Sequence, residues 1–448
     1  MRIVVIGAGA AGLAAAYDLS KAGHAVTVFE VGSEVGGLAA GFKDPSWDWT
    51  LEKFYHHWFE TDRDVLGLID EIGHAGKVVF PSPTTSLWTP EGIYPLDRPV
   101  AGSALLSRVV NVLGLTPLPL LDRLRFGAVG MAIKLYPNGI ALEKYRADAW
   151  LERMVGRRAH ELVWRPLLIG KFGDLYDQVN LAWFWARIVK RTAKLGTFEG
   201  GFQAFLDALA EAVRGQGAVI QLNAPVQRIE PVKGGGLRIQ MADGMVEAER
   251  VLSTTSPRVM ARLAPALPEN YRAQLEALKS LGALALILAL DRQLMADGTY
   301  WLNLPATSPD KTANPFPFLA LVEHTNYLSR EHYGGDHLVY LGDYLPADHE
   351  HFRLDEDELA ERFLPSLKRV NPDFSPDWIR KRWLFRAPYA QPVPFVNHSQ
   401  NIPTIRTPVE GLYLACMSQV YPWDRGTNYA VEIGRRAARM MLDDATPA

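Results

Sequence analysis

Short apolar runs punctuated by glycine organise this chain. The first is "RIVVI", an uninterrupted run rich in β-branched residues, which predicts a strand buried on both faces. Gly7, Gly9 and Gly12 follow it. "LAAAYDLSKAG" then reads as a helix ending at the C-cap glycine Gly23, and "HAVTVFE" as a second strand closed by Glu30. A later stretch places Phe202, Phe205, Leu206, Leu209 and Val213 at helical spacing, with a stop at Gly215/Gly217. After it, "AVIQL" predicts a strand, and residues 225–255 predict a β-meander with Gly-rich and Asp-Gly turns. Near the end, 412–415 reads as a strand, "YPWDRGTN" as a loop and 429–442 as a helix. Between these blocks, "LVEHTNYL" (321–328) and "GGDHLVYLGDYL" (334–345) predict paired strands, and 385–395 predicts an irregular loop.

The chain has 448 residues, long enough for two or three domains at about 150 residues each. Its net charge of −3 gives no case for a nucleic-acid partner. Cys416 is the only cysteine, which rules out an intramolecular disulfide and a cysteine-built metal site. The start runs straight into a strand with no leader pattern, and the apolar stretch 109–121 falls short of a membrane span. These points predict a cytoplasmic protein. The apolar stretch 118–135 with scattered cations fits either a buried helix pair or a helix lying on a membrane surface.

The strand, G-x-G-x-x-G, helix, strand and acid occur in the order a dinucleotide requires. Gly7 permits the tight turn, Gly9 lets the backbone approach a pyrophosphate, and Gly12 lets helix pack on strand. The helix N-terminus offers unpaired amides to the phosphates, and Glu30 stands 18 residues past Gly12, where an acid binds ribose hydroxyls. Gly36-Gly37-Leu38 follows. This extension resembles that of FAD-binding flavoproteins, so the cofactor implied is FAD.

The three blocks, 1–75, 195–260 and 405–448, resemble the discontinuous FAD domain of the amine oxidase/protoporphyrinogen oxidase-like superfamily, which also holds phytoene-type desaturases and UDP-galactopyranose mutases. The resemblance implies an α/β fold: a Rossmann-like (GR2-type) FAD-binding domain, with an α+β substrate domain inserted as 76–194 and 261–404. It places Gly7, Gly9, Ala11, Gly12, Glu30, Gly36, Gly37, Leu38, Val226, Gln419, Thr427, Asn428 and Tyr429 at the cofactor. One departure stands out. The family's "GLYLAGD/E" reads "GLYLACMSQ" here, with Met417 in place of the acid, and Gln419 is the substitute hydrogen-bond partner.

Three stretches should reach the flavin. A helix starting near Thr427 and Asn428 would aim its amides and Arg425 at negative charge on the ring. In 161–194, Arg165, Lys171, Trp183 and Arg187 combine cations with an aromatic ring. Trp183, Arg187, Lys190 and Lys194 share a helix face, either gripping an anionic substrate or forming a solvated basic face. The third is "EKFYHHWFETD", 52–62. Strand alternation would turn His56 and His57 to opposite faces, so they would not share a metal ion. The expected set is therefore His56, Lys171 and Arg425 as catalytic residues and no metal. His57, Trp58, Arg165, Trp183, Arg187 and Tyr389 would meet a small-molecule substrate.

The implied reaction is hydride transfer from a substrate C–H (an amine, porphyrinogen or polyene) to flavin N5. An alternative is a flavin-dependent isomerase similar to UDP-galactopyranose mutase. Against that family's H-I-F-H-T, His56 matches the first histidine and Trp58 the phenylalanine, while Phe59 stands at the second histidine. The resemblance also extends to peripheral membrane association, as in protoporphyrinogen oxidases.

Overall fold

A computed structural model describes residues 1–100 and 104–445. Arg2–Ile6 is the central strand of a five-stranded parallel sheet. Across it the order is Val219–Gln221, Ala25–Phe29, Arg2–Ile6, Arg250–Ser253 and Leu412–Leu414. All neighbours are parallel. Strands from three distant parts of the chain meet around Arg2–Ile6, whose Ile3, Val4, Val5 and Ile6 are buried on both faces, while the edge strand Val219–Gln221 is largely exposed. Ile3 and Val5 face one side with the helices Ala10–Lys21, Phe202–Gly215 and Thr427–Asp443. Val4 and Ile6 face the other, against the meander residues Ile229, Leu237 and Ile239.

Two glycines set how closely the helices seat. A Cβ on Gly12 would lie 1.9 Å from the Gly7 carbonyl oxygen, and one on Gly434 2.2 Å from that of Ala11. The terminal helix therefore rests directly on the first turn of the first helix. Gly434→Ala should cost about 1–3 kcal/mol through overpacking. Gly67→Ala, on the helix Arg63–Glu71 with nothing within 4 Å of the new Cβ, should stabilise by about 0.5–1 kcal/mol. Thermal denaturation of the two variants would check the opposite signs.

A second sheet has seven strands, in the order Ile379–Pro392, Ser280–Leu290, His337–Leu345, Ala320–Glu323, Thr299–Asn303, Thr84–Thr89 and Gly92–Asp97. Pairing is antiparallel except between Thr299–Asn303 and Thr84–Thr89. Ser280–Leu290 is buried on both faces: Leu284, Leu286 and Leu288 pack on the helix Glu356–Phe363, and Ala285 and Ile287 on Trp47 and Tyr300. Between the strands Gly92–Asp97 and Val219–Gln221 in sequence lies a helical lobe that includes Ala104–Gly114, Leu120–Leu135, Ala147–Val155, Arg165–Phe172 and Leu181–Lys190.

The structure corrects four expectations. Residues 385–395 are not a loop but largely the end of the strand Ile379–Pro392; it is an edge strand, where Pro388 removes no shared ladder bond. The strand at 321–328 stops at Glu323, and the chain turns at His324–Asn326. The basic helix ends at Lys190, so Lys194 leaves the shared face and pairs with Glu60. Leu120–Leu135 is not a buried helix: Val129 and Ile133 turn inward, but Leu121 and Leu135 are exposed. Among the described residues, no helix is long and apolar enough to cross a membrane.

Candidate active site

The opening strand–helix turn forms a cradle. Gly7 adopts φ +103°, which only glycine takes without strain, and its amide donates to the Phe29 carbonyl at 2.8 Å. No side chain caps the helix Ala10–Lys21, so the amides of its first turn lack an acceptor from a side chain at that end. Gly9 is informative in a different way. Its φ of −73° suits any residue, and an added Cβ would meet nothing nearer than 3.9 Å. The protein itself does not require glycine there, and the backbone surface at Gly9 is bare. Gly36, at φ +123°, donates its amide to the Ala8 carbonyl at 2.9 Å, which places Gly36-Gly37 beside Gly9.

Glu30 accepts from the amides of Ala8 and Gly32, both at 2.8 Å, which fixes its carboxylate at the cradle's edge. The amides of Asn223 and Ala224 donate to the carbonyls of Gly32 and Glu30, bringing the strand that starts at Val226 to the same end. Leu38 packs against the helical lobe. Unpaired helix amides, a bare Gly9 and a fixed carboxylate fit the pyrophosphate and ribose of a dinucleotide.

At the far end, the helix Thr427–Asp443 also begins with no side-chain cap. Three side chains expected at the cofactor are already committed to protein partners. Thr427 Oγ1 accepts from Trp58 Nε1 at 2.7 Å. Asn428 Oδ1 accepts from the amides of Asp64 and Val65, capping the helix Arg63–Glu71. Gln419 accepts from the Cys416 amide at 2.7 Å and donates to the carbonyls of Pro403 and Leu414, so its amide braces the loop where an acid was expected to be replaced. Tyr429 stacks on Trp423, with its hydroxyl buried and unpartnered.

The centre of the site is Asp424. One oxygen accepts from Trp183 Nε1 at 3.0 Å and from the Arg425 amide at 3.1 Å. The other takes Arg187 at 2.8 Å and Lys171 at 3.3 Å. Burial would raise this carboxyl's pKa, but Lys171 and Arg187 outweigh it and hold it down to about 2. Lys171 is buried over the Trp183 and Tyr344 rings; burial pushes its pKa well below the usual lysine value, and Asp424 offsets only part of that. Sequence reasoning named the cations and Trp183 but not Asp424, the acid that gathers them. The signal that could have found it is a lone acid in the loop "YPWDRGTN" facing an excess of buried cations.

Arg425 lies beside this cluster. Its Nε donates to Gln391 at 2.9 Å, its guanidinium reaches the Tyr344 hydroxyl, and it lies over the Tyr344 ring. Among the described residues no carboxylate pairs with it, and burial lowers its pKa to about 10.

His56 and His57 do not alternate across a strand. They lie in an irregular segment between Leu51–Glu52 and Trp58–Phe59, so period-two geometry does not separate them. His56 Nδ1 sits 2.5 Å from the Phe54 carbonyl; only a protonated Nδ1 can donate to it, which leaves Nε2 as an acceptor. Burial, then the nearby Arg425, lowers its pKa to about 4. Burial and then Arg191 lower that of His57 to about 3, and its Nδ1 is buried without a partner.

Other expected contacts lie elsewhere. Trp58 is fully buried against Phe202 and Phe205, as part of the core below the cradle. Arg165 pairs with Asp148 and Glu152 within the helical lobe. The carboxylates of Asp148 and Glu152 with His160 lie close enough to hold a metal ion, and Arg165 pairs with both carboxylates. The Tyr389 hydroxyl is engaged with Ser418 at 2.8 Å. The structure thus gathers Lys171, Trp183 and Arg187 on Asp424, sets Arg425 beside them with His56 within its field, and leaves Trp58, Arg165 and Tyr389 outside.

Comparison with known proteins bears on the family and the fold. A family model described as flavin containing amine oxidoreductase matches residues 10–442. The 15-cis-phytoene desaturase of Synechococcus elongatus is 23 % identical, over 92 % of this chain and 90 % of its own. A protein of Exiguobacterium sp. 255-15, provisionally designated a protoporphyrinogen oxidase, superposes with TM-score 0.75 at 19 % identity over 99 % of both chains. A reduced UDP-galactopyranose mutase superposes with TM-score 0.73 at 16 % identity, over 100 % of this chain and 96 % of the other. At these identities the two structures attest the fold alone.

Proposed function

The chain belongs to the flavin-containing amine oxidoreductases, and from that premise we propose that it oxidises a carbon–hydrogen bond of an amine, porphyrinogen or polyene-like small molecule. The bare Gly9 surface beside Gly36-Gly37 and Glu30 is the observation that carries the FAD assignment. In this reading the five-stranded sheet with its flanking helices is a Rossmann-like FAD domain drawn from residues 1–75, 195–260 and 405–448, and the seven-stranded sheet and helical lobe hold the substrate. Bound FAD supplies the hydride acceptor.

The chain's own residues would do the rest. The uncapped start of the helix Thr427–Asp443 and the carboxylate-free Arg425 place positive potential at one point, where they would stabilise negative charge. Asp424 holds Arg187 and Lys171 back from that point and so sets the local charge. Neutral His56, with Nε2 free to accept, would take a proton from substrate. The name of the curated relative, a desaturase, supports net oxidation over isomerisation.

The test is an anaerobic screen. Amines, porphyrinogens and polyenes are mixed with oxidised enzyme, and UDP-sugars with reduced enzyme. Bleaching of the flavin by one of the first three classes is expected. Turnover of a UDP-sugar by reduced enzyme alone, with no bleaching by any other class, would overturn the proposal. A related expectation concerns pH. Because His56 is held near 4, its neutral form persists across the range where a free histidine titrates, so the kcat/KM profile should show no limb near 6.5. A limb there that disappears in His56→Gln would contradict the assigned protonation state.

A further inference from the structure

Among the described residues sixteen large apolar side chains are exposed, and thirteen of them fall between residues 106 and 154. They are not scattered. The helix Leu120–Leu135 turns Val129 and Ile133 into the core and presents Leu121, Leu124, Met131 and Leu135 outward, at 79 %, 52 %, 36 % and 73 % exposure. That spacing places the four on one face. The adjoining helix Ala104–Gly114 adds Val109 and Leu113, 46 % and 40 % exposed. Isolated apolar side chains on a surface need no explanation, but a continuous face on two adjacent helices does.

Charge identifies what covers it. Residues 98–158 hold ten Lys/Arg against four Asp/Glu, a net of +6, while the whole chain is −3; the remainder therefore carries −9. Arg125, Lys144, Arg146 and Arg153 of this segment are all exposed. A second copy of the chain docking through the same face would bring two +6 segments together, which opposes self-association. An anionic lipid surface meets both properties, an apolar face and a basic surround. The helices have 11 and 16 residues, too short to cross a bilayer but suited to lie in its interface.

We propose that this two-helix face seats the protein on the surface of a bilayer containing anionic lipid. The face is part of the lobe whose core joins Val129 and Ile133 to Phe172 and Trp183, so the docked surface is continuous with the wall of the Asp424 cluster.

Sedimentation of the holoprotein with phosphatidylcholine vesicles, with and without phosphatidylglycerol, tests this directly. Binding is expected with phosphatidylglycerol, weakening as salt rises. Leu121→Glu/Leu124→Glu should weaken it by roughly a hundredfold, about tenfold for each leucine removed from the interface, with flavin content and Tm unchanged. Arg146→Glu/Arg153→Glu should weaken binding to phosphatidylglycerol vesicles and reduce its salt dependence. Wild-type protein that stays in the supernatant with both vesicle types overturns the proposal. So does a dimer in gel filtration that Leu121→Glu/Leu124→Glu converts to monomer, which would assign the face to a second copy.

Discussion

Gly9→Ala yields a folded protein that fails to retain its flavin. The two halves of this expectation rest on separate measurements. Folding survives because Gly9 already has the φ of an ordinary residue and a Cβ would stand 3.9 Å from its nearest neighbours. Flavin is lost because that Cβ would occupy the surface against which the proposed FAD site would seat its pyrophosphate. Losing one charge-assisted contact to a backbone amide costs about 1.5–3 kcal/mol, roughly ten- to a hundredfold in affinity. Gly12→Ala is the contrasting variant: its Cβ would lie 1.9 Å from the Gly7 oxygen, so the strand–helix junction itself must shift and the protein should lose stability even without cofactor. Flavin titration of the apoproteins, with thermal denaturation of each, separates the two. Tight flavin binding by Gly9→Ala would show that the cofactor does not approach the chain there.

Asp424→Asn should be among the most destabilising single changes in the molecule. It leaves Lys171, 6 % exposed, and Arg187 sharing no charge partner. Removing one member of a buried ion cluster typically costs about 3–5 kcal/mol, and the partial exposure of Arg187 places this one near the lower figure. Asp424→Asn/Lys171→Met should recover part of the loss, since it removes the stranded buried charge as well. The pH dependence follows from the same geometry. The folded pKa of Asp424, about 2, lies below its ordinary 3.8, so its contribution is complete above 3.8 and disappears as pH falls through about 2. Acid denaturation of wild type should therefore be steeper than that of Asp424→Asn over this interval. Equal acid profiles for the two proteins would show that Asp424 is not held as an anion.

The first forty residues were legible because glycine marks each turn and the intervening strands are uninterrupted apolar runs. The distant strands 250–253 and 412–414 could be read for the same reason. The strand through Pro388 could not, since proline in a strand is tolerated only at an edge, and edge position is a property of the assembled sheet. The histidine pair misled for a related reason: alternation holds only within a regular strand, and 54–57 is irregular. The Asp424 cluster was half visible. Its cations stood out in sequence, but the acid that organises them lies 253 and 237 positions from Lys171 and Arg187, and no local pattern encodes that separation. Arg165 looked like its companions until the fold brought Asp148 and Glu152 to it.

The account's central claim is that the cradle and the Arg425 face serve oxidation of a substrate carbon–hydrogen bond. The most direct test is single-turnover bleaching of the flavin under anaerobic conditions, using the substrate found in the screen and the same substrate deuterated at the oxidised carbon. The account predicts that deuterium slows bleaching and that one oxidised product forms per flavin reduced. Bleaching at the same rate with both substrates, with no oxidised product, or turnover that requires flavin reduced beforehand, would contradict it.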